Sequence, residues 1–176
     1  MRLETIPQGE GIKVVIGTRT FLGSDWIHVD IDPRPLYDPK TKEKHPVDVV
    51  CDARKINLPD GYADIVYNSE VLEHFPYKET GNVIKEWVRI VKPGGILVVE
   101  VPDFVLACNQ LIQWDCLEGD LRMQQIFFAE QLNEFDFHFA GLTHRTLPYF
   151  MEEAGLTIEE VKRGDEWGWL YCRGRK

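Results

Sequence analysis

The stretch from Asp64 to Asp103 gathers the densest chemistry in this 176-residue chain. It reads D-I-V-Y-N-S-E-V-L-E-H-F, then a helix-like segment ending K-P-G-G, then I-L-V-V-E-V-P-D. An apolar run leads into Asn68, Ser69 and Glu70, which can donate and accept hydrogen bonds at a strand exit. Glu73 and His74 follow. A glutamate suits the positive end of a starting helix. An imidazole titrates near neutrality, so His74 either orients a bound group, accepts a proton, or is simply structural. The second run exits at Pro102-Asp103. In open α/β sheets ligands bind beyond the carboxyl ends of the strands, so both exits point at one site. A second set of titratable groups lies later, where Asp136, His138 and His144 are interleaved with Phe135, Phe137 and Phe139. There His138 or His144 is expected to face a substrate; the alternative is a satellite hydrophobic cluster.

These residues need elements to position them. Short β-branched runs predict strands at 12–16, 26–30, 47–51, 63–68 and 96–101. A closing hairpin is expected from 157–161 and 167–173 around Arg163-Gly164-Asp165. Near-continuous apolar strands fit a parallel sheet covered on both faces. The clearest helix runs from Lys78 to Val91, with Val83, Trp87 and Val91 on one stripe and Lys85, Glu86 and Arg89 on the wet side. Pro93 cannot continue it, and Gly94-Gly95 lets the chain reverse. Two further helices are expected between Phe104 and Leu132. A last one spans Leu147 to Ala154, with Thr146 as its N-cap and Gly155 as its stop. One tension stands out. Parallel neighbours need a crossover of a dozen or more residues, yet 17–25 has no apolar period and 33–46 holds four prolines. Either the late helices fold back over the first strands or a second subunit covers them; a homodimer is the expectation.

Composition narrows the function classes. The chain carries 20 basic and 29 acidic side chains, a formal charge of −9. That balance disfavours nucleic acid and anionic membrane surfaces. Cys51, Cys108, Cys116 and Cys172 form no C-x-x-C pair and have no histidine at zinc-finger spacing. Reduced thiols in a cytoplasmic protein are therefore expected, with no metal site. No apolar stretch reaches the length of a membrane span. The whole of 1–176 reads as a single domain.

The string from L-P-D-G-Y-A-D-I-V-Y through V-L-E-H-F to K-P-G-G-I-L, with the earlier G-x-x-W-I-x-V-D-I-D, resembles class I S-adenosylmethionine-dependent methyltransferases of the broad type 11 group. The resemblance runs from about Lys13 to Leu156. It implies a Rossmann-like α/β fold, a mostly parallel seven-stranded sheet whose last strand is antiparallel, here with reduced helices around the first strands. It also implies a lid and substrate contacts at about 103–145. S-adenosylmethionine is the implied cofactor. Gly17 matches the glycine where the cofactor's methionine part passes the backbone. The next family glycine is replaced by Arg19, which either pairs with the cofactor carboxylate, fills the pocket, or is solvated in a loop. Asp30 matches the acid that accepts from the ribose hydroxyls, with Asp32 as neighbour. Alternatively, Asp30 caps the turn before Pro33. Asp52 and Ala53 match the adenine side. Asn68, Ser69 and Glu70 sit where the sulfonium is expected.

The resulting expectation is transfer of a methyl group to a small-molecule or sugar-like acceptor. The competing expectation is a non-catalytic binding or partner module on the same fold, which the altered glycine turn favours. A nicotinamide enzyme is largely discarded, because Gly17-Thr18-Arg19-Thr20-Phe21-Leu22 lacks G-x-G-x-x-G.

Overall fold

The computed structural model of the protein describes residues 10–164 and 168–176. Asp165 and Trp167 of the expected hairpin lie outside the described residues. Nine strands are described: β1 (Lys13–Ile16), β2 (Trp26–Asp30), β3 (Leu36–Tyr37), β4 (Lys44–His45), β5 (Val49–Val50), β6 (Ala63–Ser69), β7 (Val91–Pro102), β8 (Thr157–Arg163) and β9 (Trp169–Arg175). Seven of them form one sheet in the order β5-β2-β1-β6-β7-β9-β8. β5, β2, β1, β6 and β7 are parallel, and β9 runs against both of its neighbours. The expected Rossmann-like sheet with an antiparallel last strand is therefore present. β3 and β4 make a separate hairpin, with Leu36 opposite His45.

Four α-helices follow: α1 (Thr80–Ile90), α2 (Phe104–Gln113), α3 (Leu117–Phe128) and α4 (Thr146–Glu153). Among the described residues no helix precedes Leu72, so the first crossovers are made by loops and the small hairpin. Alternation along each strand splits the core between two faces. Val14, Ile16, Val66, Leu97 and Val99 face the cluster that includes Val83, Ile84 and Trp87 of α1 and Leu147 and Met151 of α4. Val15, Trp26, Ile65, Tyr67, Val98 and Tyr171 form a smaller cluster on the opposite face. All six of these are buried, so the thinly helical face does not stand bare.

Two sequence expectations shift. Val91 is not the end of α1 but the first residue of β7, already extended at φ −74° and ψ 134°. Pro93 disfavours helical backbone at Lys92, and Gly94 at φ 78° takes up a bulge opposite Asp64. Thr146 is not the cap of α4. Thr143 does that work: its Oγ1 accepts from Thr146 N at 3.1 Å, and Thr143 N donates to Thr146 Oγ1 at 3.0 Å. This reciprocal pair is a capping box with threonine at both ends.

Helix α1 also holds the loop that leads to the site. Trp87 Nε1 donates to the Ala53 carbonyl at 3.0 Å, and Glu86 Oε1 accepts from Ile56 N at 2.7 Å. Arg89 donates to the carbonyls of Ile56 and Leu58, both at 2.9 Å. Glu86 and Arg89, on the side of α1 expected to be wet, thus brace residues 56–58.

Candidate functional site

A cavity of about 510 Å³ opens at the carboxyl ends of β1, β2, β5 and β6. Gly17, Arg19 and Asp30 line one side, and Asp52 and Ala53 the next. Glu70 and His74 come from the exit of β6, while residues 133–136 and Phe139 complete the wall from the chain after α3. Seven of the candidate residues therefore meet in one place.

Asp30 is the best placed acceptor. It is 7% exposed, and its Oδ1 accepts from Asp32 N at 2.9 Å, the turn-capping role. Its Oδ2 is buried without a hydrogen-bond partner. The Oδ2 lies 3.4 Å from Arg19 Nη1, an ion-pair distance. A buried carboxylate oxygen with spare lone pairs is an unmet acceptor, and here it borders a ligand-sized cavity.

Arg19 lines the cavity with its guanidinium tied to the loop after β2. Nη1 donates to the Asp32 carbonyl at 3.0 Å, and Nη2 to the carbonyls of Arg34 and Pro35 at 3.0 and 3.3 Å. Its φ is 53°, in the left-handed region. This turn demands backbone that glycine adopts freely, and an arginine adopts it here at a cost offset by those bonds. Gly17 is also left-handed, at φ 69°, and a Cβ on it would sit 2.4 Å from Val71 Cγ2. Packing against Val71 already requires glycine there, whatever approaches from the cavity.

Asp52 is tied to its neighbour. Arg54 forks onto it, with Nη2 to Oδ2 at 2.6 Å and Nε to Oδ2 at 3.0 Å. That guanidinium holds the Asp52 carboxyl below the usual carboxylate range. Arg54 also reaches Glu79 at 3.4 Å and lies over the Phe75 ring. The D-A-R sequence carried this fork in plain view as a two-residue spacing.

Asn68 and Ser69 are not on the cavity. Both are buried beneath it, where Asn68 Nδ2 donates to the Ile16 carbonyl at 3.1 Å and Ser69 Oγ donates to Glu100 Oε2 at 3.4 Å. These two bonds stitch β6 to its neighbours, while Asn68 Oδ1 is buried with no hydrogen-bond partner. Glu70 is the first residue of that crest to emerge, at φ 56°. Asp103 is likewise structural: its Oδ1 caps α2 through Leu106 N at 3.1 Å, and Arg163 pairs with its Oδ2.

His144 stands apart from the other two candidate histidines. His74 borders the large cavity. Burial, and then the nearby His138, lower its pKa. His138 lines a neighbouring cavity of about 180 Å³ together with Glu73 and Phe104. The two rings meet edge to face at 4.8 Å. His144 lines neither cavity, and its Nε2 accepts from Arg145 Nε at 3.3 Å. Glu73 stands in the first turn of a short 3-10 helix (Leu72–His74) after β6, as its helix-start reading expects. It is also buried, with a pKa pushed well up by burial and by the charges of Glu70 and Glu100.

A cavity of this size, with one unmet carboxylate oxygen among apolar walls such as Ile31, Cys51 and Phe139, suits a ligand joining a polyhydroxyl part to a flat part. Comparison with known proteins supports the same direction. A family profile described as "Methyltransferase domain" matches residues 9–99. The 2-methyl-6-phytyl-1,4-hydroquinone methyltransferase of Synechocystis is 34% identical over 110 residues, covering 55% of this chain and 33% of that protein. The chain thus spans about a third of the length of this curated relative. Among solved structures, the 1,6-didemethyltoxoflavin-N1-methyltransferase of Burkholderia thailandensis, bound to its substrate and S-adenosylhomocysteine, superposes with TM-score 0.59 at 13% identity, over 93% of this chain and 70% of that one. A SAM-dependent methyltransferase of Thermotoga maritima gives TM-score 0.63 at 18% identity, over 99% and 87%. At these identities the structural likeness concerns the fold.

Proposed function

The chain belongs to the methyltransferase-domain family, and from that premise we propose that it transfers a methyl group from S-adenosylmethionine to a small-molecule or sugar-like acceptor. The observation that carries this reading is Asp30, whose buried Oδ2 accepts no hydrogen bond and stands at the end of β2 beside the cavity, with only the Arg19 ion pair near it. When bound, S-adenosylmethionine supplies an electrophilic methyl on a sulfonium. The residues of this chain bind, align and exclude water. Asp30 accepts hydrogen bonds from the ribose hydroxyls, and Arg19 holds the 32–35 loop that carries the wall beside it. Ala53, positioned by Trp87, and Cys51 provide the adenine side. Glu70 and His74 face the end of the cavity nearest β6, where the acceptor enters. Burial lowers the pKa of His74, which borders this end of the cavity. The hydroquinone and toxoflavin methyltransferases act on small molecules by name, which is consistent with an acceptor of that class.

A second reading has one specific observation in its favour. Both Asp30 and Asp52 already have arginine partners, Arg19 and Arg54. A binding module on this fold, without transfer, would show the same pairs. The two readings separate in one assay. Incubation with S-adenosylmethionine and a panel of quinols, phenols, amines and sugars should release S-adenosylhomocysteine with at least one acceptor. Tight cofactor binding with no turnover on any acceptor class would favour the module.

A further inference from the structure

We infer that Glu73, His74 and His138 form a binding site for a divalent first-row transition-metal ion. One ligand atom from each lies within 4.8 Å of the other two. The sequence hides the grouping, because Glu73 and His74 are adjacent while His138 arrives from the chain after α3. The fold then fixes that arrival, since Phe139 N and Ala140 N both donate to the Glu73 carbonyl, at 2.8 and 3.1 Å.

The imidazoles are oriented as ligands. His74 Nδ1 is bonded to the Phe137 carbonyl at 3.0 Å, and His138 Nδ1 to the Ile126 carbonyl at 2.8 Å. A carbonyl only accepts, so each Nδ1 carries the proton and each Nε2 presents a lone pair. Metal-bound histidines commonly donate their other N–H in this way. His138 Nε2 lies 4.0 Å from Glu73 Oε1.

The carboxylate supplies an independent observation. Glu73 is 2% exposed, and both of its carboxylate oxygens are buried with no hydrogen-bond partner. A buried carboxyl group with neither oxygen satisfied is costly. A dication between Glu73 and the two Nε2 atoms would satisfy it. Metal–ligand distances of about 2.0–2.2 Å require the three atoms to draw in from their present spacing by roughly an ångström, within reach of small side-chain rotations. Two imidazoles and one carboxylate suit zinc or ferrous iron. The adjoining cavity of about 180 Å³ leaves space for further ligands. The site rests on these side chains alone, so it would stand even if the chain failed to bind S-adenosylmethionine.

The test uses the full chain, stripped with a chelator and dialysed. Zn²⁺ is titrated by calorimetry, and Co²⁺ is titrated while visible absorption is followed. One ion per chain is expected, with Co²⁺ ligand-field bands that Zn²⁺ abolishes. Glu73→Gln and His138→Ala should each weaken binding at least ~100-fold, beyond the ~10–100-fold typical of outer-sphere partners. His144→Ala, outside the cluster, should bind as the parent does. Circular dichroism confirms that each variant is folded, and His138→Ala serves if Glu73→Gln is not. No binding by the folded parent, or binding that both variants retain, overturns the site. The cluster would then be a buried carboxyl group packed beside two histidines with no ion between them.

Discussion

Arg19 and Gly17 share a turn that asks for left-handed backbone at both positions, and the chain meets the demand differently at each. At Gly17 the demand is absolute, because a Cβ would also run into Val71. Gly17→Ala is therefore expected to destabilise the fold by about 1–3 kcal/mol, read as a lowered urea midpoint; an unchanged midpoint would contradict the packing. His28 offers a second test at this scale. It is buried, its Nε2 accepts from Leu22 N at 3.0 Å, and its Nδ1 faces Asp48 at 3.2 Å. Burial lowers its pKa below the ordinary 6.5. Below that pH the unfolded chain takes up a proton that the fold does not. Stability should thus fall as pH drops from about 6.5 through the folded value. His74 acts in the same direction. Glu73, with its raised pKa, acts in the opposite one: its contribution is present at low pH and lost as pH rises through the folded value. Comparing the parent with His28→Gln isolates the first effect. The variant should show a shallower loss of stability between about pH 6.5 and pH 5, and parallel curves would rule out the assignment.

At the scale of elements, α4 shows what sequence could and could not locate. The helix and its stop at Gly155 were legible from apolar spacing, but its cap was misplaced by three residues. Thr143 and Thr146 are equally good capping types, and only the backbone decides which one precedes the first turn. Thr143→Ala should cost about 1 kcal/mol, measurable by thermal or urea denaturation, while Thr146→Ala, which keeps the Thr143 cap on its own N–H, should cost less. Equal losses would mean that the box works only as a pair. The strands were legible because their β-branched runs are continuous. The burial of Asn68 and Ser69 was not, since the sequence does not reveal how far β6 extends before the cavity opens. Nor could it show that the 137–140 segment would dock on Glu73.

Across the whole molecule, a methyltransferase sheet is retained with its first crossovers pared down to loops and one small hairpin. The expectation of a homodimer rested on a bare face there. Val15, Ile65, Tyr67 and Val98 are all buried within one chain, so that reason falls away. Among the described residues no helix is long and apolar enough to cross a membrane. The exposed large apolar side chains concentrate instead around α2 and α3, at Ile112, Leu117, Leu121 and Leu132. The cavity opens at the ends of β1, β2, β5 and β6 and is closed by the chain that follows α3. Its defining feature is Asp30 Oδ2, buried beside Arg19 and accepting no hydrogen bond. Calorimetric titration of S-adenosylhomocysteine into the parent and into Asp30→Asn tests that feature most directly. The parent should bind one equivalent, and loss of a charge-assisted acceptor worth about 1.5–3 kcal/mol should weaken the variant by roughly 10- to 100-fold with its fold intact. No binding by the parent at millimolar ligand, or equal affinity in the two proteins, would contradict it.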